Sequence, residues 1–327
     1  MNFDFFSNNT IHIPIMVDEI INLLNPVTGG IYVDCTLGGG GHTEAIYKKI
    51  QTKGTIIGID SDHNAINHTE SRLKKIFCNN NSNPNSNSLI HPEGSIRLVH
   101  ANYTYTQDAL KMLGIEKVNG ILLDLGLSSD QLIDNERGFS FNSNGQLDLR
   151  FDTTEGEPAH VLINRLKEED LALIFFQYGD EKYARRIARE IVTKRKIKKI
   201  ETSNELAEIV RNCVPKKIPN QSRFYNSRSI IIDPATKTFQ ALRIAVNKEL
   251  ESLKTILNTA PKILKKDGKI IVISFHALED RIVKNTFKNN LLWKIITKKP
   301  IISSQNELKQ NPRSRSAKLR CAALISE

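Results

Sequence analysis

A run of glycines lies between two acidic residues near the start of the chain. Tyr32-Val33-Asp34 has the character of a short strand that ends in a carboxylate, and Gly38–Gly41 follow within a few residues. A helix is predicted from Thr43, and a second apolar stretch ends at Asp60. This layout is typical of the nucleotide-binding start of a doubly wound sheet, because bare glycine backbone lets a cofactor lie against the chain.

The acidic residues favour one class of cofactor over another. A dinucleotide would place its pyrophosphate at the helix N-terminus after the loop, where the Asp34 carboxylate would repel it. The G-x-G-x-x-G fingerprint is also incomplete, since counting from Gly38 its last position is Thr43. S-adenosylmethionine carries a sulfonium and an ammonium group and no phosphate, so it tolerates nearby acids. Asp60 can accept hydrogen bonds from ribose hydroxyls of either cofactor.

A glycine-rich turn without any ligand is the remaining alternative for this loop. It is disfavoured because ordering four consecutive glycines costs a large amount of chain entropy.

A third acidic residue follows another apolar segment. Ile121-Leu122-Leu123 is succeeded by Asp124-Leu125-Gly126-Leu127-Ser128-Ser129. Ligands bind at the carboxyl ends of strands in open α/β sheets, so we expect the glycine loop, Asp60 and Asp124 to converge on one cleft. Asp124 is therefore a candidate to face the reacting group. The alternative for this loop is a helix cap by Ser128 or Ser129.

The residue types also limit which atom would be methylated. A pyrimidine ring carbon requires a cysteine thiolate that attacks the base, and no cysteine lies in the Asp124 loop or at Ser274-Phe275-His276. An exocyclic amine needs only in-line attack and an acceptor for its N–H. Asp-Leu-Gly-Leu stands where many DNA amino-methyltransferases have Asn/Asp/Ser-Pro-Pro-aromatic, which disfavours that class. Methylation of a hydroxyl stays open.

His276 is a second candidate for the catalytic set. It follows a strongly apolar strand and is expected to form hydrogen bonds on the substrate side. The acids after it, Glu279 and Asp280, have an alternative role in favouring the N-terminus of the next helix.

The predicted elements alternate between strand and helix, which indicates an α/β fold with a mainly parallel sheet and helices on both faces. Strands are predicted at Gly54–Asp60, Ile96–Ala101, Gly120–Leu125, Gly268–Phe275 and Leu319–Ile325. Helices are predicted at His12–Leu24, Asn64–Phe77, Thr106–Leu113 and Thr238–Leu257. The Asn-rich segment Asn79–Ser88 is low in complexity and predicts a surface loop.

Between about Ala159 and Val214 helices follow one another without strands. Thr202-x-x-Glu205 is a capping box, and helix Glu181–Lys194 places its alanines and isoleucines on one face. We expect residues 135–231 to form an inserted helical domain that recognises the substrate. Residues 1–134 and 232–327 would then form one discontinuous cofactor-binding domain.

The chain has 327 residues and a formal net charge of +10, which favours an anionic partner such as nucleic acid. Its four cysteines are scattered and form no C-x-x-C, so we expect neither a zinc site nor another metal site, and no disulfide framework. No signal peptide and no membrane-spanning stretch are evident, which predicts a cytoplasmic protein without a membrane partner.

Two segments combine groups suited to nucleic acid. Arg137-Gly138-Phe139-Ser140-Phe141 and Leu147-Asp148-Leu149-Arg150 join aromatic faces with charge, and Arg137, Phe139 and Arg150 are candidates to stack on an extruded base. Core packing is the alternative for the two phenylalanines. The basic tail Asn311–Arg320 offers Arg313, Arg315 and Lys318 to phosphate oxygens.

Taken in order, these segments resemble the bacterial 16S ribosomal RNA cytosine-N4 methyltransferase family, called MraW-like. The matching segments are His12–Glu19, Asp34–His42, Leu122–Gln131, Arg137–Phe141, Leu147–Arg150, Pro234–Asn247, Ser274–Lys284 and Asn311–Arg320. The resemblance implies a class I methyltransferase fold, Rossmann-like, with an inserted helical domain. It implies methyl transfer from S-adenosylmethionine to the N4 amine of a cytidine in the decoding region, on 16S rRNA or the small ribosomal subunit.

The resemblance also implies a set of cofactor contacts. These are Gly40, Gly41, His42, Asp60, Tyr103, Asp124 and Gln131, which leaves Gly38 and Gly39 as turn formers. Asp233, Ala277 and Asp130 depart from the residues that are usual in the family, and the departures concern the substrate side more than cofactor binding. Whether the protein forms a homodimer is left open.

Overall fold

The computed structural model describes residues 14–50, 53–77, 89–91, 94–141, 143–215 and 233–325. The Asn-rich segment 79–88, the first residues of the predicted helix His12–Leu24 and the expected domain boundary at 231/232 lie outside these ranges.

The described residues form thirteen α-helices and eight β-strands. In order they are α1 Val17–Leu24, β1 Ile31–Asp34, α2 Gly41–Ile50, β2 Thr55–Asp60, α3 His63–Phe77, β3 Leu89–His91, β4 Gly94–His100, α4 Thr106–Met112, β5 Val118–Asp124 and α5 Ser129–Ile133. After α6 Ala159–Arg165, α7 Glu168–Gly179, α8 Ala184–Arg195, α9 Ser203–Cys213 and α10 Thr236–Asn247 come α11 Glu249–Ile263, β6 Leu264–Ser274, α12 Ala277–Asn289, β7 Trp293–Ile295, α13 Gln305–Gln310 and β8 Lys318–Leu324. Within the described ranges, no helix is long and apolar enough to cross a membrane.

The eight strands of the described ranges form one sheet in the order β3-β4-β2-β1-β5-β6-β8-β7. The strands from β4 to β6 pair in parallel, whereas β8 runs antiparallel to both β6 and β7. This order, with β8 reversed near one edge and β3 antiparallel to β4 at the other, is the class I methyltransferase fold that the sequence predicts. The strand order reverses between β1 and β5, which is where open α/β sheets bind ligands.

Side chains of the central strands alternate between two apolar layers. Val33 and Ile121 belong to one layer with Leu253 of α11, while Tyr32 and Leu122 belong to the other with Ile46 of α2. Strands buried on both faces are near-continuous apolar runs, as Gly120–Leu123 is. The burial of both faces therefore holds the strand ends, and the acids that follow them, in fixed positions.

The chain divides into two compact units, each described by itself. The sheet unit comprises residues up to Asp130 together with Leu250 onward, and the helical unit runs from Gln131 to Glu249. The helical unit therefore includes α10, which packs against α7, whereas the sequence analysis assigned residues 232–249 to the cofactor-binding domain.

Within the helical unit, the predicted capping box at α9 is confirmed. The Thr202 hydroxyl accepts the Glu205 N–H, and the Glu205 carboxylate accepts the Thr202 N–H. The predicted faces of α8 are also confirmed, with Ile187, Ala188 and Ile191 buried and Arg185 exposed.

The prediction of one long helix over Thr238–Leu257 is wrong. The chain forms α10 and α11 instead, and Lys248 between them adopts a left-handed conformation with φ 50°. Apolar periodicity continues across this break, so the pattern alone gave no sign of it. Lys248 is the C-cap of α10, and its left-handed conformation ends that helix.

Candidate active site

Three carboxylates lie at the ends of three adjacent parallel strands. Asp34 ends β1, Asp60 ends β2 and Asp124 ends β5. β1 lies between the other two, with Asp34 in register with Gly58 on one side and Leu122 on the other. The predicted convergence of these strand ends at one edge of the sheet is therefore observed, and it brings the glycine loop after β1 to the same place.

Asp34 holds the glycine loop from inside. Its carboxylate is fully buried, and it accepts hydrogen bonds from the Thr36 N–H at 3.2 Å and the Thr43 hydroxyl at 2.8 Å. Burial raises the pKa of Asp34 to about 6, and the nearby His42 and the two threonine bonds oppose that rise. The carboxylate thus joins the beginning of the loop to the helix that follows it, and its role is to shape the loop.

The glycines are required by the path of the loop. Gly38 and Gly40 have φ of +47° and +73°, a region that residues with a Cβ rarely adopt. A Cβ on Gly40 would collide with the Thr69 side chain, and a Cβ on Gly41 would lie 2.7 Å from the Pro14 ring. The loop is therefore enclosed from behind by α3 and by the chain segment before α1.

Asp60 connects the loop to the second strand. Its two oxygens accept one backbone N–H each, from Asp62 and from Gly38, both at 2.8 Å. A carboxylate oxygen accepts more than one hydrogen bond, so each retains capacity for a hydroxyl donor. This arrangement suits a ribose diol, as the sequence analysis expected.

His42 and Asp124 form a pair across the site. The His42 Nε2 lies 3.3 Å from Oδ2 of Asp124, and the histidine is 5% exposed. Burial lowers the pKa of His42, but the Asp124 carboxylate outweighs it, so the pKa lies above its ordinary value. Among the described residues, His42 Nδ1 and Asp124 Oδ1 are buried and have no hydrogen-bond partner. These two atoms are available to a ligand.

Tyr103 lies at the same edge of the sheet. It begins a 3₁₀ turn, Tyr103–Tyr105, three positions after β4 ends at His100, which is in register with Asp60. Its ring packs on the apolar layer that contains Val33. Tyr103 thus lies next to the Asp60 strand end, and its contact with the adenine stays a prediction.

These residues fit S-adenosylmethionine, the cofactor of this fold class. The loop has no side chain at Gly40, Asp60 has capacity for hydroxyl donors, and Asp124 Oδ1 has no partner among the described residues. Carboxylates favour a ligand with a sulfonium and an ammonium group, since opposite charges attract at short range. A pyrophosphate would be repelled by the same groups.

We expect the affinity for S-adenosylmethionine to rise between about pH 5 and pH 7 and then to level off. Burial raises the pKa of Asp60 to about 6. Below that pH the carboxyl carries a proton and loses acceptor capacity, and above it the ionised form accepts both hydroxyls. Calorimetric titration across this range should show the step, and Asp60→Ala should remove it and weaken binding about tenfold or more. If the rise in affinity with pH persists in Asp60→Ala, the titrating group is Asp34, because burial raises its pKa to about 6 as well.

His276 is engaged in a helix cap. Its Nδ1 accepts the Glu279 N–H at 3.4 Å, and the Glu279 carboxylate accepts the N–H groups of Phe275 and His276. This capping box begins α12. The alternative role of these residues at a helix N-terminus is thus observed, and the catalytic role of His276 stays a prediction without further support.

Four predicted residues lie in the helical unit. Gln131 is buried on α5. Arg137 is 7% exposed and donates to the Arg150 and Phe151 carbonyls, both at 2.9 Å, and Phe139 is 5% exposed. Arg150 pairs with both oxygens of Asp148 at 2.7 and 2.8 Å.

The placement of Arg137 and Phe139 argues against direct contact with RNA. Both side chains face the interior of the helical unit, where Phe139 stacks on Phe151 and Arg137 holds the backbone of the Arg150 loop. Arg150 is half-buried and already bonded. We therefore treat Arg137 and Phe139 as structural residues, since an RNA contact would need them to leave these partners.

The predicted basic tail is partly on the surface of the sheet unit. Arg313 and Arg315 are exposed in a 3₁₀ turn, Pro312–Ser316. Lys318 lies 3.7 Å from the Asp280 carboxylate, which also binds Arg320 at 2.6 Å. Asp280 thus partly neutralises the end of the tail. The exposure of Arg313 and Arg315 keeps both as candidates for phosphate contacts.

One residue near the site was missed by the sequence analysis. Glu307, on α13, accepts the Met16 N–H at 2.6 Å and is close enough to His42 and Asp124 for their charges to affect one another. Ser304-x-x-Glu307 has capping-box spacing, and Ser304 does cap α13. This capping-box spacing could have predicted the start of α13, but it does not predict that the Glu307 carboxylate reaches Met16.

The comparisons with known proteins agree with this fold and site. Residues 9–325 match the model of the MraW methylase family. A protein of Pseudothermotoga lettingae is 43% identical over 95% of this chain and 98% of its own length, and one of Clostridioides difficile is 39% identical over 96% and 99%. Both are named ribosomal RNA small subunit methyltransferase H. The match covers the glycine loop, all three strand-end acids and the helical unit, and the chain therefore belongs to the MraW methylase family.

Proposed function

We propose that the protein transfers a methyl group from S-adenosylmethionine to the N4 amine of a cytidine in the decoding region of 16S rRNA. The family supports an RNA methyltransferase, since relatives that align over almost the whole chain carry that name. The observation that carries the proposal at the site is the Asp124 carboxylate, which has a buried oxygen without a partner in the described ranges.

The cysteines near the sheet support an amine over a ring carbon. Cys35 directly follows Asp34 in the chain, but it is 1% exposed, and burial raises the pKa of its thiol to about 12. Cys321 is likewise buried in β8, with a pKa raised to about 12. A thiol with such a pKa supplies almost no thiolate at neutral pH, so neither residue suits covalent attack on a base.

An amine substrate makes a specific demand on the protein. Its nitrogen lone pair is delocalised into the base, so an acceptor that draws on the N–H lets the nitrogen pyramidalise before it attacks. The cofactor supplies the electrophilic methyl group. In this proposal Asp124 Oδ1 accepts the N–H, while His42 holds Asp124 Oδ2 and fixes the orientation of the carboxylate.

The RNA partner is supported by charge. The chain has a net charge of +10, and exposed arginines occur on the tail at Arg313 and Arg315 and on α8 at Arg185, Arg186 and Arg189. Contacts of this kind bind phosphate without reading sequence. We propose the small ribosomal subunit or its RNA as the substrate, which would place the protein in the cytoplasm.

Mass spectrometry of nucleosides from small-subunit RNA tests the proposal. In a strain that lacks the gene, N4-methylated cytidine should fall to background, and the intact gene should restore it. Purified protein with methyl-labelled cofactor should label small subunits from that strain. Unchanged N4-methylcytidine in the deletion strain would contradict the proposal. Loss of a hydroxyl-methylated nucleoside instead would identify the acceptor as a hydroxyl. Binding of the cofactor without methyl transfer would indicate a cofactor-sensing RNA-binding protein.

A further inference from the structure

Glu307 lies on α13, but its carboxylate binds the backbone at the N-terminus of α1. α1 begins after Met16, whose side chain forms no cap, and Met16 adopts a left-handed conformation with φ 53°. The Met16 N–H donates to Oε1 of Glu307, 291 positions later in the chain. Left-handed backbone is costly for a residue with a Cβ, so this long-range hydrogen bond holds a strained junction in place.

The segment that Glu307 holds is part of the wall of the glycine loop. The Pro14 ring lies 2.7 to 3.0 Å from the position that a Cβ on Gly41 would take. Met16 is 1% exposed and packs in the same apolar layer as Ile46 and Ile50 of α2. A shift of Met16 would therefore move Pro14 against the first residues of α2, where Gly41 and His42 lie.

The Glu307 carboxylate also adds negative charge to the site. Burial raises its pKa above the ordinary value, as do the charges of Glu19 and Asp124, while the Met16 N–H and His42 lower it. In turn Glu307 contributes, after Asp124 and Asp34, to the raised pKa of His42. Three carboxylates thus act on the one histidine.

We propose that Glu307 is a positioning residue of the cofactor site, which holds Pro14–Met16 against Gly41 and favours the cationic methyl donor over its uncharged-sulfur product. This inference rests on the proposed function, because it assumes that S-adenosylmethionine binds at the strand ends. S-adenosylmethionine carries one more positive charge than S-adenosylhomocysteine. A nearby carboxylate attracts the ammonium group of both ligands, but only S-adenosylmethionine has a sulfonium for it to attract as well.

Two substitutions separate the positioning role from the charge. Glu307→Gln keeps an oxygen that accepts the Met16 N–H and removes the charge, whereas Glu307→Ala removes both. Glu116→Gln is the control, because Glu116 is an exposed glutamate of the same unit. Calorimetry with S-adenosylmethionine and with S-adenosylhomocysteine, together with the melting temperature of each protein, gives the readouts.

For Glu307→Gln we expect an unchanged melting temperature, binding of S-adenosylmethionine weakened about three- to tenfold, and binding of S-adenosylhomocysteine weakened by a clearly smaller factor. Glu307→Ala should weaken both ligands and lower the melting temperature. Equal weakening of both ligands in Glu307→Gln, or no weakening of either, would overturn the inference. Absence of binding of either ligand to the unaltered protein would instead refute the proposed function.

Discussion

Replacement of Asp124 by asparagine is expected to lower the rate of methyl transfer to small-subunit RNA about 100-fold or more. The carboxylate lies at the end of β5, and its Oδ2 binds His42 Nε2 at 3.3 Å. An asparagine of the same shape replaces one carboxylate oxygen by an NH₂ group. That NH₂ would either face the His42 donor or occupy the position of Oδ1, where an acceptor is required.

The two possible contacts of Asp124 predict different kinetics. If Oδ1 accepts from the substrate amine, Asp124→Asn lowers kcat far more than it weakens the binding of S-adenosylmethionine, which loses only the attraction of one carboxylate charge. If Oδ1 accepts from the cofactor, the affinity falls by at least as large a factor as kcat. We expect the first pattern, measured by single-turnover methyl transfer and by calorimetry. Asp108→Asn on the exposed face of α4 is the control and should retain full activity; full activity in Asp124→Asn would refute the assigned role.

Replacement of Gly40 by alanine is expected to abolish measurable cofactor binding and to lower the free energy of unfolding by about 2 to 4 kcal/mol. Gly40 has φ +73°, which disfavours any residue with a Cβ, and its Cβ would also collide with Thr69. Thr69 cannot move freely, because it is 1% exposed and its hydroxyl donates to the Gly38 carbonyl at 2.7 Å. The strain would therefore move the loop itself.

Gly114 provides a matched control for this substitution. It has a φ of +70°, and nothing lies within 4 Å of the position of its Cβ. Gly114→Ala should show only the backbone cost, about 1 to 2 kcal/mol, with normal cofactor affinity. Denaturant unfolding and calorimetry of both variants separate the cost of the collision with Thr69 from the cost of the backbone conformation. Equal effects of the two substitutions on cofactor affinity would contradict the conclusion that the glycine loop is enclosed by α3.

The parts of the fold that follow from local pattern were predictable. Apolar runs such as Ile270–Ile273 predict buried strands, and acids at Asp34, Asp60 and Asp124 follow such runs. Parallel strands bring their carboxyl ends to one edge, so the convergence of the acids could be inferred without coordinates. The short strand β7 could not, because three residues at a sheet edge are defined by pairing with β8 more than by their own pattern.

The site residues divide in the same way. Arg137 and Phe139 have residue types suited to RNA, but both are buried against the segment around Phe151, a contact that depends on how the helical unit folds. His276 has the residue type of a catalytic group, yet its cap of α12 depends on how closely Glu279 approaches it. Residue type therefore indicated what each side chain can do, and the surroundings decided which of these roles it has.

By itself the sequence determined the α/β class, the glycine loop, the strand-end acids and, through the ordered motifs, the family. These are properties of short segments, where periodicity, glycine conformation and motif spacing act locally. Only the tertiary structure decided that Asp34 is buried to shape the loop, that His42 pairs with Asp124, and that Glu307 reaches Met16 across 291 positions. The physical reason is that burial and charge depend on distances in space, which chain folding sets between residues that no local pattern connects.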